Sequence, residues 1–210
     1  MGCVLSDKNI LEELNKGNIV IDPFDARHLS NSSYDVCLDK YFFRNTTKME
    51  YCNIWNKEDS LKYWGEPLVA SVAKESEYGL KEGQEYILIH PGETILSCTR
   101  EFIGSSEGSQ ITTMMKTRSS IMRSSLSFCK CAGWGDIAFC SKWAVEVTNH
   151  GSCKIPLIVG KRVAQIVFLY TGRTENPYKG KYQTTGDLEQ LKKEWSPMML
   201  LPRLYDDYDA

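Results

Sequence analysis

From Glu85 to Tyr170 the chain reads as a succession of short strand-like segments broken by turn residues, which leaves few fold classes open. The breaks fall at Pro91-Gly92, at 104–106, at 149–151 and at Gly160. Many short strands at such spacing are typical of a mainly antiparallel sandwich or barrel. The predicted strands span residues 86–89, 94–99, 111–115, 126–130, 142–149, 154–159 and 162–170.

Helix signals occur near both ends of the chain. Ser6 is a suitable N-cap for a helix over 7–15, and Gly17 lies just beyond the end of that helix. A second helix is predicted over 187–195. Two early strands are expected at 19–21 and 32–38, the first ending where Asp22-Pro23 excludes a central ladder position.

The 210 residues suit a single domain with a full core. Residues 44–83 show neither helical nor alternating periodicity, which predicts an insertion with a single strand. A C-terminal tail is expected over 177–210, and its acidic end, 205–210, is expected to be loose.

The composition excludes several functional classes. The net charge of −2 gives no reason to expect a nucleic acid as partner. No segment approaches the roughly 20 apolar residues that span a bilayer, so no membrane partner is expected. The opening Met1-Gly2-Cys3 fits a short acylation pattern, but the same stretch also fits the opening of the family described below.

Cysteine usage predicts reduced thiols in a cytoplasmic compartment. Of the eight cysteines only Cys129 and Cys131 lie close together, without the two-residue spacing of a zinc knuckle. The His-x-Glu and Pro-Cys-x-x-Cys signatures of zinc deaminases are absent, because His28, His90 and His150 are not followed by Glu at the second position. No zinc is therefore expected.

An anion-binding motif begins at Arg118. If Ser119 opens a short helix, that helix presents free N–H groups and the positive end of its dipole. Ser119 and Ser120 lie four and three residues before Arg123, so both hydroxyls share a face with its guanidinium. Such a face suits a polyphosphate, although a capped surface helix with solvated arginines would show the same residues.

Glu146 stands among apolar neighbours in the predicted strand 142–149. A carboxylate on a buried strand is either paired with a cation or active in proton transfer. Burial that raises its pKa would suit general acid/base catalysis. The residues alone leave both interpretations open.

Several ordered motifs together resemble the dCTP deaminase branch of the dUTPase-like superfamily, and the resemblance spans nearly the whole chain. The motifs are Leu5-Ser6-Asp7-Lys8 with Ile10, Ile21-Asp22-Pro23-Phe24, Ser32-Ser33-Tyr34-Asp35, Arg118-Ser119-Ser120-x-x-Arg123, Ala132-Gly133-Trp134-x-Asp136, Trp143-x-x-Glu146 with Asn149 and Gly151, Val163-Ala164-Gln165-Ile166-Val167-Phe168, and Pro177-Tyr178 with Lys181-Tyr182-Gln183.

The resemblance implies a distorted jelly-roll β-barrel with short flanking helices, a homotrimer with active sites between subunits, and a deoxynucleoside triphosphate substrate carrying Mg²⁺ on its phosphates. Catalysis is assigned to Glu146, with Ser119, Arg123 and Asp136 assisting. Glu146 would handle the protons of dCTP deamination to dUTP without zinc. The implied nucleotide contacts are Arg118, Ser119, Ser120 and Arg123 at the phosphates, Ala132 at the water and base, Trp143 and Ala144 at the base and sugar, and Gln165, Tyr178 and Lys181 over the nucleotide.

Two alternatives remain. Asp136 matches the turn where dUTPases activate water against the α-phosphate, so the chain could instead be a dUTPase or a bifunctional enzyme that yields dUMP and diphosphate. A non-catalytic nucleotide-binding regulator on the same scaffold is the other. Three positions depart from the family pattern: Thr117 replaces a Gly, Ile137-Ala138 replace Pro-Gly, and Thr185 replaces a Gln.

Overall fold

The computed structural model describes residues 3–45, 48–176 and 178–207. Within them most regular structure is β-strand, as the sequence predicts. The strands are β1 (Ile19–Asp22), β2 (Leu29–Ser30), β3 (Ser33–Arg44), β4 (Leu68–Val69), β5 (Ser71–Val72), β6 (Glu85–Ile89), β7 (Thr94–Ser105), β8 (Ile111–Thr117), β9 (Leu126–Phe128), β10 (Trp134–Gly135), β11 (Cys140–Asn149), β12 (Ile155–Ile158) and β13 (Arg162–Tyr170).

The helices are short and flank the sheets. They are α1 (Asp7–Asn15), α2 (Lys57–Trp64), α3 (Ser119–Arg123) and α4 (Leu188–Glu194), with 3-10 turns at Ala26–His28, Glu77–Gly79, Pro197–Leu200 and Leu204–Asp207. None of the helices among the described residues is long and apolar enough to cross a membrane.

One large antiparallel sheet has the strand order β10-β8-β13-β3-β7-β11-β9, with β1 on β7 and with β2 and β4 on β3. A smaller sheet has the order β12-β6-β5. The large sheet curls because β3 serves both of its halves. Residues 34–37 of β3 pair with β13, whereas 38–44 pair with β7, and the register shifts between Leu38 and Phe42.

The main hydrophobic core lies inside this curl. Its members include Val145 and Val147 from β11, Ile166 and Phe168 from β13, and Ile103 from β7, each 2% exposed or less. Burial of a side chain of this size contributes about 1.5–3 kcal/mol. A second cluster packs Leu200 and Leu201 of the C-terminal segment against side chains of β3 and β7. The C-terminal segment is thereby held against the outer face of the sheet.

The predicted terminal helices are confirmed. The Ser6 hydroxyl accepts a hydrogen bond from the Asn9 amide at 3.3 Å at the start of α1, and Gly17 follows its end at a φ of +75°. Asp187 caps α4 by accepting from the Gln190 amide at 2.7 Å. The predicted break between 104 and 106 is displaced, because β7 continues through Ser105.

The predictions for 32–38 and 44–83 fall short of the structure. β3 continues to Arg44 because its second half pairs with β7. The 44–83 segment contains α2, capped by Asn56, and short strands β4 and β5 rather than one strand alone. Within α2 only Ser60 is fully buried, so the helix has little of the apolar periodicity that sequence reading depends on.

The expectation of a loose acidic end is wrong for residues 205–207. They belong to a 3-10 turn, and Asp207 accepts a hydrogen bond from the Lys181 ammonium. Residues 208–210 of that end, Gly2 of the acylation pattern and Pro177 of the tail lie outside the described residues. All eight cysteines lie within them and carry free thiols, as predicted.

Candidate functional site

The strand β11 presents two different faces. Trp143, Val145 and Val147 point into the main core, and the alternate residues Ala144 and Glu146 line a cavity on the opposite face. The Glu146 side chain therefore faces away from the apolar core. It lies on a central strand, since β11 is paired with β7 on one side and β9 on the other.

The cavity has a volume of about 800 Å³ and is open at one side. Its floor is β11, and its cover is the C-terminal segment, including Trp195, Leu200 and Pro202. Seven of the residues that the sequence assigns to the site line this one space. They are Ala132, Asp136, Trp143, Ala144, Glu146, Tyr178 and Lys181.

Two polar groups of the cavity wall are buried without a partner. Oε2 of Glu146 and Nε1 of Trp195 have no hydrogen-bond partner among the described residues. Burial of an unpaired carboxylate oxygen is costly, so the arrangement suits a ligand that supplies a hydrogen-bond donor to Glu146. The Glu146 carboxylate also affects the neighbouring thiol of Cys129. Burial, and to a smaller extent the charge of Glu146, raises the pKa of the Cys129 thiol to about 12.

Trp143 is chiefly a core residue. Its side chain is 4% exposed, and its ring N–H donates to the Ile103 carbonyl at 2.9 Å. The Trp143 ring also explains why the residue before Asp136, Gly135, is a glycine. A Cβ on Gly135 would lie 2.5 Å from a carbon of the Trp143 ring, so only glycine fits there. Packing thus fixes the turn that presents the exposed side chain of Asp136.

Ala138 stands where the family pattern has Gly, and the backbone of this turn still adopts a glycine-like conformation. Ala138 has a φ of +73°, and its amide donates to the Ser105 hydroxyl at 3.1 Å. The Asp136 carbonyl accepts from the Phe139 amide at 3.1 Å, which closes the turn. The turn therefore retains the positive φ despite the loss of glycine.

The tail closes the cavity from above. The Tyr178 amide donates to the Ile137 carbonyl at 2.9 Å, and the Tyr178 ring packs edge-on against Phe139 at 5.3 Å between centroids. Burial raises the pKa of the Tyr178 phenol. Lys181 donates to the Arg203 carbonyl at 2.7 Å, so it ties the tail to the last turn of the chain.

Gln183 is a positioning residue that the sequence placed only among the family landmarks. Its Oε1 accepts from the Cys140 amide at 2.8 Å and anchors the tail to the start of β11. Thr185, where the family pattern has Gln, lies two residues further on, and its hydroxyl accepts from the Asp187 amide at 3.1 Å. Thr185 thus leads the tail into α4.

The anion-binding motif lies elsewhere on the molecule. The helix predicted to open at Ser119 is confirmed as α3. Within the described residues the hydroxyls of Ser119 and Ser120 and the guanidinium of Arg123 have no hydrogen-bond partner, and all three residues are exposed. Their polar groups are available to an anion.

Arg118 is held by a buried carboxylate. Its Nε lies 3.3 Å from Oδ2 of Asp35, and Nη1 of Arg162 lies 3.2 Å from the same oxygen. Thr117, which replaces a Gly of the family pattern, has a structural role nearby. Its hydroxyl donates to the Phe128 carbonyl at 2.7 Å and accepts from the Phe128 amide at 3.0 Å, joining β8 to β9.

The five remaining predicted residues do not line the cavity of Glu146. Gln165 lies on β13, paired with Asp35 of β3 and Lys116 of β8. The other four belong to α3 or stand next to it: Ser119 and Ser120 open the helix, Arg123 ends it, and Arg118 directly precedes it. One protomer alone therefore does not bring the carboxylate and the anion-binding motif into one pocket.

Known proteins resemble this chain over most of its length. Residues 4–171 match the family described as dCTP deaminase-like. A relative from Methanobrevibacter smithii named "dCTP deaminase, dUMP-forming" is 31% identical over 94% of this chain and 96% of its own length. A relative of the same name from Acidothermus cellulolyticus is 32% identical over 83% of this chain and 84% of its own.

The fold has a solved counterpart. The dCTP deaminase from Agrobacterium tumefaciens matches with a TM-score of 0.57 at 14% identity, over 83% of this chain and 50% of that one. This likeness concerns the fold, and it agrees with the expected dUTPase-like architecture. The matched residues 4–171 and the relatives of more than 30% identity show that the chain belongs to the dCTP deaminase-like family.

Proposed function

We propose that this protein converts dCTP into dUMP, with release of ammonia and diphosphate. The relatives named "dCTP deaminase, dUMP-forming" support this product over the dUTP that the sequence motifs first suggested. The observation that carries the proposal is the buried and unpartnered Oε2 of Glu146 in a cavity that also contains Asp136. Each of the two reactions is assigned one carboxylate, deamination to Glu146 and release of diphosphate to Asp136.

Deamination would proceed through Glu146. Its carboxylate takes a proton from a water that attacks C4 of the cytosine and delivers it to the ring nitrogen N3. It then moves the hydroxyl proton of the tetrahedral adduct to the departing amino group. The C4–O bond forms, the C4–N bond breaks, and ammonia leaves. The backbone at Ala132 would hold the water, while Ala144 leaves room for the base against β11.

Hydrolysis would use Asp136. Its exposed carboxylate accepts a proton from a second water that attacks the α-phosphorus, and the bond to the bridging oxygen of diphosphate breaks. The triphosphate requires Arg118, Ser119, Ser120 and Arg123, because fork-shaped guanidinium groups and small hydroxyls fit phosphate oxygens. Mg²⁺ bound through the phosphates would neutralise part of their charge.

The two separate clusters favour a shared site. Since Arg123 and Glu146 do not meet within one protomer, we propose a homotrimer in which α3 of one subunit reaches the cavity of its neighbour. Gln165, Tyr178 and Lys181 would close over the nucleotide. In this arrangement Arg123 contributes more than a lysine could, because its planar fork binds two oxygens at once.

Product analysis tests the proposal. The purified protein is incubated with Mg²⁺ and either dCTP or dUTP, and ammonia and diphosphate are followed separately. Ammonia and diphosphate from dCTP support the proposal. Ammonia alone indicates a deaminase that stops at dUTP, diphosphate from dUTP alone indicates a dUTPase, and neither product indicates a nucleotide-binding regulator.

Substitutions assign the two carboxylates. Glu146→Gln should lower ammonia release by at least about 100-fold while nucleotide binding persists, because the amide cannot accept the proton. Asp136→Asn should lower diphosphate release. Glu82→Gln, an exposed acid outside the cavity, is the matched control and should behave as wild type. Full deamination by the Glu146→Gln protein would exclude the assigned role.

A further inference from the structure

Three different metal-ligand side chains meet away from the cavity. His28 ends the 3-10 turn before β2, Cys37 lies in β3, and Glu101 lies in β7. Their ligand atoms all lie within 4.8 Å of one another, and the Cys37 thiol is 3.8 Å from Nδ1 of His28. Cys37 is 1% exposed and Glu101 is 2% exposed, so the cluster is closed off from water on two sides.

The Glu101 carboxylate forms no ion pair among the described residues, although Arg100 is its neighbour in the chain. The Cys37 amide donates to Oε2 of Glu101 at 2.9 Å. A buried acid without a cation is unusual, because isolation from water disfavours its charged form. A bound cation would remove that penalty.

The spacing fits a tetrahedral ion. Zinc binds thiolate sulfur at about 2.3 Å and imidazole nitrogen at about 2.0–2.1 Å, which places the two ligand atoms about 3.6 Å apart. The observed separation of Cys37 Sγ and His28 Nδ1 is 3.8 Å, so a small adjustment suffices. Imidazole and thiolate are ligands that zinc prefers over magnesium or calcium.

The second nitrogen of His28 faces a carboxylate. Nε2 of His28 lies 3.9 Å from Oδ2 of Asp25. Histidines that bind a metal through one nitrogen commonly direct the other toward a carboxylate, which fixes the tautomer and orients the ring. Asp25 is itself held by Arg27, whose guanidinium donates to it at 2.6 Å. The turn thus supplies an oriented imidazole.

We propose that His28 Nδ1, Cys37 Sγ and the Glu101 carboxylate bind one zinc ion, with a fourth position for water. Binding replaces the thiol proton of Cys37, which passes to solvent. The sequence predicts no zinc because it lacks the zinc-knuckle spacing and the zinc-deaminase signatures; the three ligands proposed here lie far apart in the chain, at 28, 37 and 101. The ion would lie outside the cavity of Glu146 and would join the 3-10 turn to β3 and β7.

The site would stabilise the strand beneath the anion-binding motif. Asp35, two residues before Cys37 on β3, holds both Arg118 and Arg162. An ion that joins the 3-10 turn to β3 and β7 would therefore keep Asp35 and its two arginines in place. Zinc removal should lower thermal stability and weaken nucleotide binding without changing the identity of the products.

Metal analysis of the full-length protein provides the test. We expect about one zinc per chain by elemental analysis, and Co²⁺ titrated into chelator-treated protein should give the near-ultraviolet absorption of a cobalt–thiolate bond. His28→Gln and Cys37→Ser should weaken Co²⁺ binding at least about 100-fold, since even residues that only orient ligands cost 10–100-fold. His28 is partly exposed, so its substitution should fold.

Cys98→Ser is the matched control. Cys98 is a fully buried thiol on the same strand as Glu101, outside the cluster, and its loss should leave Co²⁺ binding unchanged. Circular dichroism verifies that each variant folds. The proposal is overturned if folded His28→Gln retains the cobalt–thiolate absorption, or if the wild-type protein binds neither ion and shows no change in Tm with zinc.

Discussion

Ser125 adopts a left-handed backbone conformation, with a φ of +62°, in the turn between α3 and β9. For a residue with a Cβ this conformation costs about 1–2 kcal/mol relative to the right-handed region. Its side chain is exposed and has no hydrogen-bond partner among the described residues. The strain is therefore not offset by a side-chain contact.

We expect Ser125→Gly to raise the free energy of unfolding by about 0.5–1 kcal/mol, because glycine adopts positive φ without strain. The adjacent Ser124→Gly is the control, since Ser124 has a φ of −89° and its hydroxyl donates to the Ser120 carbonyl at 3.0 Å. That variant should lose stability. Urea denaturation of both measures the difference, and equal shifts would contradict the explanation.

Cys129 and Lys130 also have positive φ, and they end β9 earlier than the sequence predicts. The sequence gives no signal of such a bend, since neither residue is a Gly, Asn or Asp, the types that favour positive φ. The bend has a consequence for the site. It turns the chain so that Ala132 lines the cavity beside Glu146.

At the level of elements, β11 and the tail could be predicted from sequence to different degrees. The sequence predicts the strand from its apolar residues Trp143, Val145 and Val147. Glu146 is a site candidate because it carries a charge among them. Which face it occupies could not be predicted, because Lys142, Ala144 and Glu146 only become one side of a cavity once the tail covers them.

Helix α2, in contrast to β11, could not be predicted from the sequence. It packs through Leu61 and Trp64 against a cluster made of residues far apart in the chain, so no local period marks it. Its N-cap, Asn56, accepts from the Asp59 amide at 3.0 Å. A cap without an apolar stripe is a weak signal of a helix.

The cap of α4 provides a test at this scale. Asp187→Ala should destabilise α4 by about 1 kcal/mol, because the Gln190 amide loses its acceptor. Since Trp195 follows α4 and lines the cavity, the tail should then be cut faster by chymotrypsin. Lys193→Ala, exposed in the same helix, is the control. Unchanged cleavage in Asp187→Ala would show that the cap does not hold the tail.

At the scale of the whole molecule, Arg123 lies apart from the Glu146 cavity. The order of the motifs in the chain does not predict this separation. Motifs adjacent in the chain can face different sides of a sheet, and here α3 lies beside β9 while β11 opens on the tail. The family resemblance predicted sites between subunits. The monomer structure is compatible with that prediction and leaves the trimer as a proposal.

Mixed oligomers test the shared site directly. Glu146→Gln and Arg123→Ala proteins should each be inactive, but co-expression in equal amounts should restore about a quarter of the sites if each site takes one residue from each of two subunits. Activity per protein measures the recovery. Absence of recovery in confirmed mixed trimers would indicate that both residues serve the same protomer's site.

Buried thiols predict sensitivity to alkaline pH. Burial raises the pKa of Cys129 and of Cys140 to about 12, whereas unfolded thiols ionise near 8.5. The native state therefore retains protons that the unfolded state loses. Stability is fully present below about pH 8.5 and should fall as pH rises toward 12, by about 1 kcal/mol per unit for each thiol.

Denaturation at several pH values between 8 and 11 measures this slope. Cys129→Ala should reduce the slope, because one titrating group is removed, even though the small cavity lowers stability at every pH. A slope that is identical in wild type and Cys129→Ala would contradict the assignment.

The long strand β3 pairs with β13 through its first half and with β7 through its second. Neither half of the sheet can open at this point without breaking hydrogen bonds to a strand that the other half also uses. Amide hydrogens of Tyr34 to Phe43 should accordingly exchange with deuterium only when the entire chain unfolds. The curled sheet then has no half-open form, and slow exchange confined to one side of it would show that the two halves separate independently.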